Sequence, residues 1–574
     1  MPQRKLLLTS VVGPYGIEDE YAAGYGMLMD GLKINLCYGQ GVHAPQATQS
    51  SFALDLLALN ISVPTTVLDF PSWQRFTREL EKGYTDVGIS FVMANVYKAK
   101  RMAEYIRAHY PDVKIILGSY GTLIPGIEDM LPFDAMCRGE GVRWLRAYFG
   151  DDPNAPLVHP VMSYLTKMRA YGVNVSKRLK SAIIIPGLGC EGACDFCSTT
   201  RMFDYHYLPM LRNGQEFFEL CLRGDEQLGI QSFAVYDENF AKNTQMAREI
   251  LAEMERHGKP YKFTMFASAN VVQAMGADFL VRMGFEQILI GVESTQRPYA
   301  KTQGVDMATL VRDLQDKGIT VTTSIILFLE EHNKQNIWDE INAAIALGSE
   351  IQIFNMVVPI PGTQLYDEFR NKGYVDEQPN YREMHALTLV VPRHPHFTTD
   401  EAHDIQVKAY RMKYEANGPV TLAKCHTMVR GYLRAMEDFK TREREGLAWD
   451  AEAMRYVKCD NPAPDTFMKL RIVELRDRAR RGRPILLTCW VYAVNRSARQ
   501  KACETMRLYR QAFGSMTLIE WIVSLGVLCT ASIEAVRIWI RERLLGKHPS
   551  GYQPPTRCVQ YPGAALRRDV QHGH

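Results

Sequence analysis

Through the first 150 residues, short apolar runs alternate with amphipathic stretches. Residues 6–12, 65–68, 87–90, 114–118 and 135–138 read as strands, and Ala99, Met102, Ala103 and Ile106 recur at helical spacing within residues 97–110. Apolar strands joined by helices predict a parallel α/β sheet. Each run ends in small or polar residues: Asp69, then Ser90, then Gly118, Ser119 and Gly121, then Gly139, Glu140 and Gly141. Ligands of open α/β sheets bind beyond the carboxyl ends of the strands, so a binding site is expected in these loops.

Residues 151–180 contain prolines and basic residues without a clear strand and read as a linker. A second α/β series follows, with strands at 182–185, 232–236, 262–267, 287–291, 320–327 and 352–358 and helices such as 244–257 and 307–317. Six βα units within 181–375 predict a partial (β/α)6 barrel. From 376 to 574 the pattern turns helical, with long candidates at 399–417, 422–443 and 517–545. The fold class expected is α/β, with a Rossmann-like domain, a partial barrel and a mainly helical C-terminal domain.

Length and composition support several folded domains: 574 residues with 46% hydrophobic and 23% charged positions exclude disordered and collagen-like chains. Twelve cysteines are too sparse for a disulfide scaffold and suit a reducing cytoplasm. The net charge of +3 conceals a gradient, because residues 471–574 hold 18 Lys and Arg against 7 Asp and Glu, or +11, leaving −8 for the rest. The charge-free runs 484–495 and 521–533 fall short of the ~20 residues of an ordinary transmembrane helix. Residues 6–12, preceded by Arg4 and Lys5, read as a strand rather than a signal peptide.

Cys190, Cys194 and Cys197 follow the first strand of the second series, among Gly187, Gly189 and Gly192. Three neighbouring thiolates can ligate three irons of a [4Fe-4S] cluster and leave the fourth iron open. A zinc knuckle completed by a distant residue, or three unrelated thiols, are the alternatives that spacing leaves open.

The arrangement resembles the radical S-adenosylmethionine superfamily, and later motifs extend the likeness over residues 181–375. Phe196 matches the aromatic residue expected near the adenine. Asp237 and Asn239, in Tyr236-Asp237-Glu238-Asn239-Phe240, resemble polar residues near the methionine moiety, as does Ser268. Glu293, in Gly291-Val292-Glu293-Ser294, resembles a carboxylate on the ribose, and Pro359-Ile360-Pro361-Gly362-Thr363 resembles a segment after the sixth strand. The resemblance implies a [4Fe-4S] cluster and S-adenosyl-L-methionine as cofactors, with a flavodoxin- or ferredoxin-type reductant.

The first 150 residues resemble the cobalamin-binding domain of the B12-dependent branch of that superfamily. Asp69, Ser90, Gly118, Ser119, Gly121, Gly139, Glu140 and Gly141 are the corresponding candidates for cobalamin contact. The Asp-x-His-x-x-Gly segment of the B12 mutases is absent, and His43 reads as a structural or solvated loop histidine.

The region 414–432 resembles helices after the barrel in members acting on polycyclic or isoprenoid lipids, the hopanoid C-3 methylases among them. Expected, then, is a cobalamin-dependent methyltransferase acting on an unactivated carbon of a hydrophobic small molecule. Alternatives are radical cyclisation or rearrangement, including on tetrapyrroles, and a non-catalytic iron-sulfur redox or regulatory protein. Arginines at 476, 478, 480, 481 and 483, with Arg541, Arg543 and Lys547 beside a Trp-containing apolar helix, suit peripheral association with the inner face of a membrane; the other reading is a helical subdomain with a solvated basic face. No RNA-binding motif accompanies the basic tail, so nucleic acid is not expected as a partner.

Overall fold

The computed structural model describes residues 4–15, 19–21, 37–177, 179–544 and 553–563. Lys547 lies outside them. The N-terminal sheet contains β1 (Leu6–Ser10), β2 (Thr65–Asp69), β3 (Asp86–Ser90), β4 (Lys114–Gly118) and β5 (Ala135–Met136), all parallel, in the order β2-β1-β3-β4-β5. This is a doubly wound order, in which the sequence of connections reverses at β1 and opens a crevice at the carboxyl edge. β1, β2 and most of β3 are buried, as expected of strands covered on both faces.

The second sheet is also parallel but wound differently. Its strands β6 (Ala182–Ile184), β7 (Ser232–Val235), β8 (Lys262–Ala267), β9 (Phe285–Glu293), β10 (Thr320–Leu327) and β11 (Ile351–Met356) lie side by side in chain order. There is no reversal, as in barrel-type winding, and β6 and β11 are the outermost strands, with Ser163 bridging to Ala182 at the β6 side. Phe217, Phe233, Phe263 and Phe285 pack beneath it, each fully or almost fully buried. Burying each contributes roughly 2–3 kcal/mol.

Three sequence expectations change. The supposed linker contains Leu165–Ala170 and Val173–Asn174, which join Gln46–Gln49 in a three-stranded antiparallel sheet. The C-terminal region is mainly helical but contributes a hairpin, Leu447–Asp450 with Arg455–Lys458, and a final strand β12 (Arg557–Tyr561). β12 pairs antiparallel with β2, completing the N-terminal sheet from the far end of the chain. Arg557 reinforces the join with two bonds to the buried Asp55 carboxylate, one of them 2.7 Å long.

The C-terminal helices are α1 (Thr399–Asn417), α2 (Val420–Glu445), α3 (Thr466–Arg481), α4 (Leu486–Val491), α5 (Arg496–Phe513) and α6 (Leu518–Trp539). They are fastened to the second sheet. Arg471 of α3 is fully buried and donates to the carbonyls of Pro260, Arg282 and Met283 at 3.0–3.3 Å. α2 crosses the start of β10 at Gly431, where a Cβ would lie 2.1 Å from Gly318 Cα. The third change concerns α6: at 22 residues it is long and apolar enough to cross a membrane by length and composition. Counting charge-free residues missed this, since Glu520 and Arg537 sit near its ends and Glu534 on the side facing the protein.

Candidate active site

The carboxyl ends of both sheets meet around one cavity of about 610 Å³. From the N-terminal sheet come Ser90 at the end of β3, Gly118 and Ser119 after β4, and Gly139, Glu140 and Gly141 after β5. From the second sheet come Tyr236, Asp237 and Glu238 after β7 and Phe266 near the end of β8, joined by the Gly187–Gly189 strand of a separate hairpin that follows β6. Leu54, Ile116, Leu145, Leu188 and Phe203 make much of the wall apolar.

The six cobalamin candidates just named therefore share one wall. Asp69 and Gly121 do not line the cavity. Asp69 is covered by the returning strand β12: it accepts a 2.7 Å bond from the Ser51 amide and lies 3.7 Å from Arg557. Burial nevertheless raises its pKa. Gly121 has a packing role, because a Cβ there would lie 2.1 Å from the Phe91 ring. Glu140 borders the cavity and also caps the Gly141–Phe149 helix, accepting from the amides of Val142 and Arg143 at 2.6 and 2.8 Å. His43 lies elsewhere, buried 3.4 Å from the Tyr171 hydroxyl and 3.3 Å from the Tyr492 carbonyl oxygen. Burial lowers its pKa to about 4, so it is neutral and structural.

The cysteine loop joins two stretches of the cavity wall, Gly187–Gly189 before it and Met202 and Phe203 after it, though none of the three cysteines lines the cavity itself. The loop leaves the Gly187–Gly189 strand, which pairs antiparallel with Tyr207–Pro209. Glycine is required at 189: φ is +80°, and a Cβ would lie 2.2 Å from the His206 carbonyl oxygen. Cys190, Cys194 and Cys197 are all half-buried and free of disulfides. Burial raises the pKa of Cys190, opposed by the Gly192 amide donating to its sulfur at 3.3 Å. Burial also raises Cys194, with the Lys301 ammonium acting in the other direction. The loop is bridged to the N-terminal sheet by Tyr120 and Thr199, whose hydroxyls are 3.0 Å apart.

The other candidates of the second sheet take part in three polar pairs at its strand ends. Asn239 donates to the Ser268 hydroxyl at 3.0 Å and accepts from the Ser268 amide at 3.1 Å, locking the loops after β7 and β8 together. Asp237 accepts from the Tyr207 hydroxyl at 2.8 Å and from the Asn239 amide at 2.9 Å; burial still raises its pKa. Glu293 ends β9 in left-handed backbone at φ 64°, beside an irregular register with β10, and forms an ion pair with Lys301. Strained backbone of this kind concentrates at functional sites. The Lys301 ammonium lies 5.4 Å from the centre of the Phe196 ring, which packs edge-on against Tyr299.

Lys301 and Tyr207 carry no signal in the sequence, and Tyr120 stands in the strand-end segment Gly118-Ser119-Tyr120-Gly121 with none of its own. Lys301 stands eight positions after Glu293 in a segment without a motif, and Tyr207 and Tyr120 reach the site only through pairing and domain contact. The Pro-Gly-Thr segment has a local explanation: Thr363 caps the Gln364–Asn371 helix, whose Leu365 amide donates to the Asp195 carbonyl at 3.0 Å. That bond ties the segment to the cysteine loop.

Among the described residues, no three His, Cys, Asp or Glu side chains gather closely enough to hold a single metal ion. Three half-buried thiols on one loop, with an amide turned toward a sulfur, fit instead a group in which each thiolate binds a separate metal atom.

No protein-family model matches the chain. Part of it is similar to bacteriochlorophyllide d C-8(2)-methyltransferase from Chlorobaculum tepidum, with 24% identity over 225 residues, covering 37% of this chain and 49% of that protein. The chain thus spans about half the length of the curated relative it matches. What the likeness supports is a distant relation to an enzyme of methyl transfer.

Proposed function

We propose that the chain is a radical S-adenosylmethionine enzyme that methylates a carbon of a hydrophobic substrate with the help of cobalamin. The observation that carries this reading is the shared cavity, where the strand ends of a nucleotide-type sheet face Asp237 and Glu238 of a barrel-type sheet and the Gly187–Gly189 strand that leads into the cysteine loop. Cys190, Cys194 and Cys197 would hold a [4Fe-4S] cluster, and Ser90, Gly118, Ser119, Gly139, Glu140 and Gly141 would receive the corrin. When bound, the cluster supplies the electron that breaks a C–S bond of S-adenosylmethionine and so starts radical chemistry, and cobalamin supplies the methyl group.

The chain's own residues bind, orient and shield. Asn239 and Ser268 fix one another and present a preorganised polar edge toward the methionine moiety. Glu293 would accept from the ribose hydroxyls while Lys301 offsets its charge. Phe196, held by Tyr299 and Lys301, offers an apolar face for the adenine. Apolar residues on both sides of the cavity exclude water, which would otherwise quench reactive species.

A second reading of the substrate is a tetrapyrrole rather than an isoprenoid-like lipid, supported by the bacteriochlorophyllide named for the relative. Protein reconstituted with iron and sulfide, then treated with dithionite and S-adenosylmethionine, is expected to form 5'-deoxyadenosine. No product above the protein-free control would overturn the radical reading. Pigment and lipid profiles of a deletion strain would then separate the two substrates.

A further inference from the structure

The outer face of α6 is built the opposite way from a helix packed on a soluble protein. Its inward face is small and polar. Ser524 and Ala531 are buried, Ser532 accepts from the Tyr492 hydroxyl at 2.8 Å, and the Thr530 carbonyl abuts Gly172. Both acids are neutralised against the body: Glu520 by Arg480 and Arg483, and Glu534 by Arg169 at 2.7 Å. Outward lies a stripe in steps of three and four, through Leu518, Ile522, Leu525, Cys529, Ile533, Val536 and Ile540. Leu518, Ile522 and Ile533 are 76%, 60% and 70% exposed. Trp521 and Trp539 stand near the two ends, also exposed. A row of exposed large apolar side chains of this kind, rimmed by charge, marks an interaction surface.

We propose that this face docks on an anionic lipid bilayer, with α6 lying in the plane of the interface. Charge complementarity favours lipid over an apolar protein partner. No acid lies on the exposed stripe, whereas Arg537 and Arg543 are exposed near its carboxyl end and Arg476 and Arg481 on α3, the helix whose Arg480 reaches Glu520. The region from residue 471 onward carries +11. Cations beside an apolar face with tryptophans are the make-up of an interfacial helix. A transmembrane path is excluded by α6's own contacts. Polar bonds hold it to the protein body near its start, at Glu520, and again in its last third, at Ser532 and Glu534, and β12 beyond it returns to the N-terminal sheet.

Co-sedimentation of the full chain with phosphatidylcholine vesicles, with and without phosphatidylglycerol, tests the proposal. Strong pelleting is expected only with the anionic vesicles, accompanied by quenching of Trp521 and Trp539 by brominated lipid. Ile522→Glu, Ile533→Glu and Val536→Glu together should reduce binding about a hundredfold while leaving the circular dichroism and 5'-deoxyadenosine formation unchanged, because these side chains face outward. Equal pelleting of wild type and triple variant would overturn the proposal. So would a stable dimer that the triple variant dissolves and that does not bind vesicles, or resistance of the bound protein to alkaline carbonate extraction, which marks a spanning helix.

Discussion

The two parallel sheets meet at one cavity and contribute opposite things to it. The N-terminal sheet offers glycines, serines and aliphatic walls, and its one charged contributor, Glu140, is already engaged in capping a helix. The second sheet offers the carboxylates of Asp237 and Glu238, and next to them carries the three thiols and the pairs Asn239 with Ser268 and Glu293 with Lys301. One side is shaped to receive a large partner, the other to hold and polarise small ones. The division follows from winding: a reversed strand order opens a crevice between neighbouring loops, while a sequential order sets every strand-end loop beside the next.

Cys194→Ala strikes the reacting side most directly. It should abolish both the reconstituted iron-sulfur absorbance and 5'-deoxyadenosine formation, a larger effect than the ~10–100-fold cost of changes around a metal's ligands. Retention of a wild-type spectrum would place the cluster elsewhere. Asn239→Ala removes the clasp with Ser268 and should weaken S-adenosylmethionine binding about 10–100-fold, as loss of bonds to a charged ligand does. Equilibrium binding that stays unchanged would show that this pair serves only the fold.

On the receiving side, Gly118→Leu sharpens the contrast. A Cβ at Gly118 meets nothing within 4 Å, so the new side chain would enter the cavity without disturbing the sheet. Cobalamin retention, followed by absorbance after gel filtration, should fall about tenfold or more, with 5'-deoxyadenosine formation nearly unaffected. Equal loss of both would break the division of labour.

Much of this arrangement was legible in the sequence, for reasons that differ between the sheets. The eleven parallel strands were legible for two reasons: β1 and β2, buried throughout, read as apolar runs, whereas β8 and β9 mix buried and partly exposed positions and show by the spacing of their apolar residues. The cysteines and glycines stood out because their spacing is local. Tyr120 and Lys301 were hidden because their importance comes from a neighbour's position rather than their own sequence context. β12 was hidden for another reason: Arg557-Cys558-Val559-Gln560-Tyr561 alternates exposed and partly buried positions as an edge strand does, and its partner lies at the opposite end of the chain.

Two smaller effects test the supports of each sheet. Arg557→Ala leaves the buried Asp55 carboxylate without its cation and should cost the N-terminal sheet about 3 kcal/mol. Faster hydrogen exchange in β2 than in β8 would localise the loss; uniform exchange would argue against a separate N-terminal unit. His159 supports the second sheet, accepting from the Ile185 amide at 3.0 Å beyond β6, and burial lowers its pKa to about 4. A neutral buried histidine stabilises above its unfolded pKa near 6.5, and that contribution declines as pH falls toward 4. By pH ~5 the loss should be about 2 kcal/mol, measurable by urea denaturation and flattened in His159→Gln.

The pairing of β12 with β2 also sets an order of events during synthesis. β2 leaves the ribosome hundreds of residues before the strand that covers its edge, a delay on the order of half a minute to more than a minute at ordinary elongation rates. Throughout that interval an unpaired edge is open to other nascent chains. The receiving half of the cavity is therefore completed last although it is made first, and co-translational crowding or a stalled C-terminus should harm this protein through its N-terminal sheet.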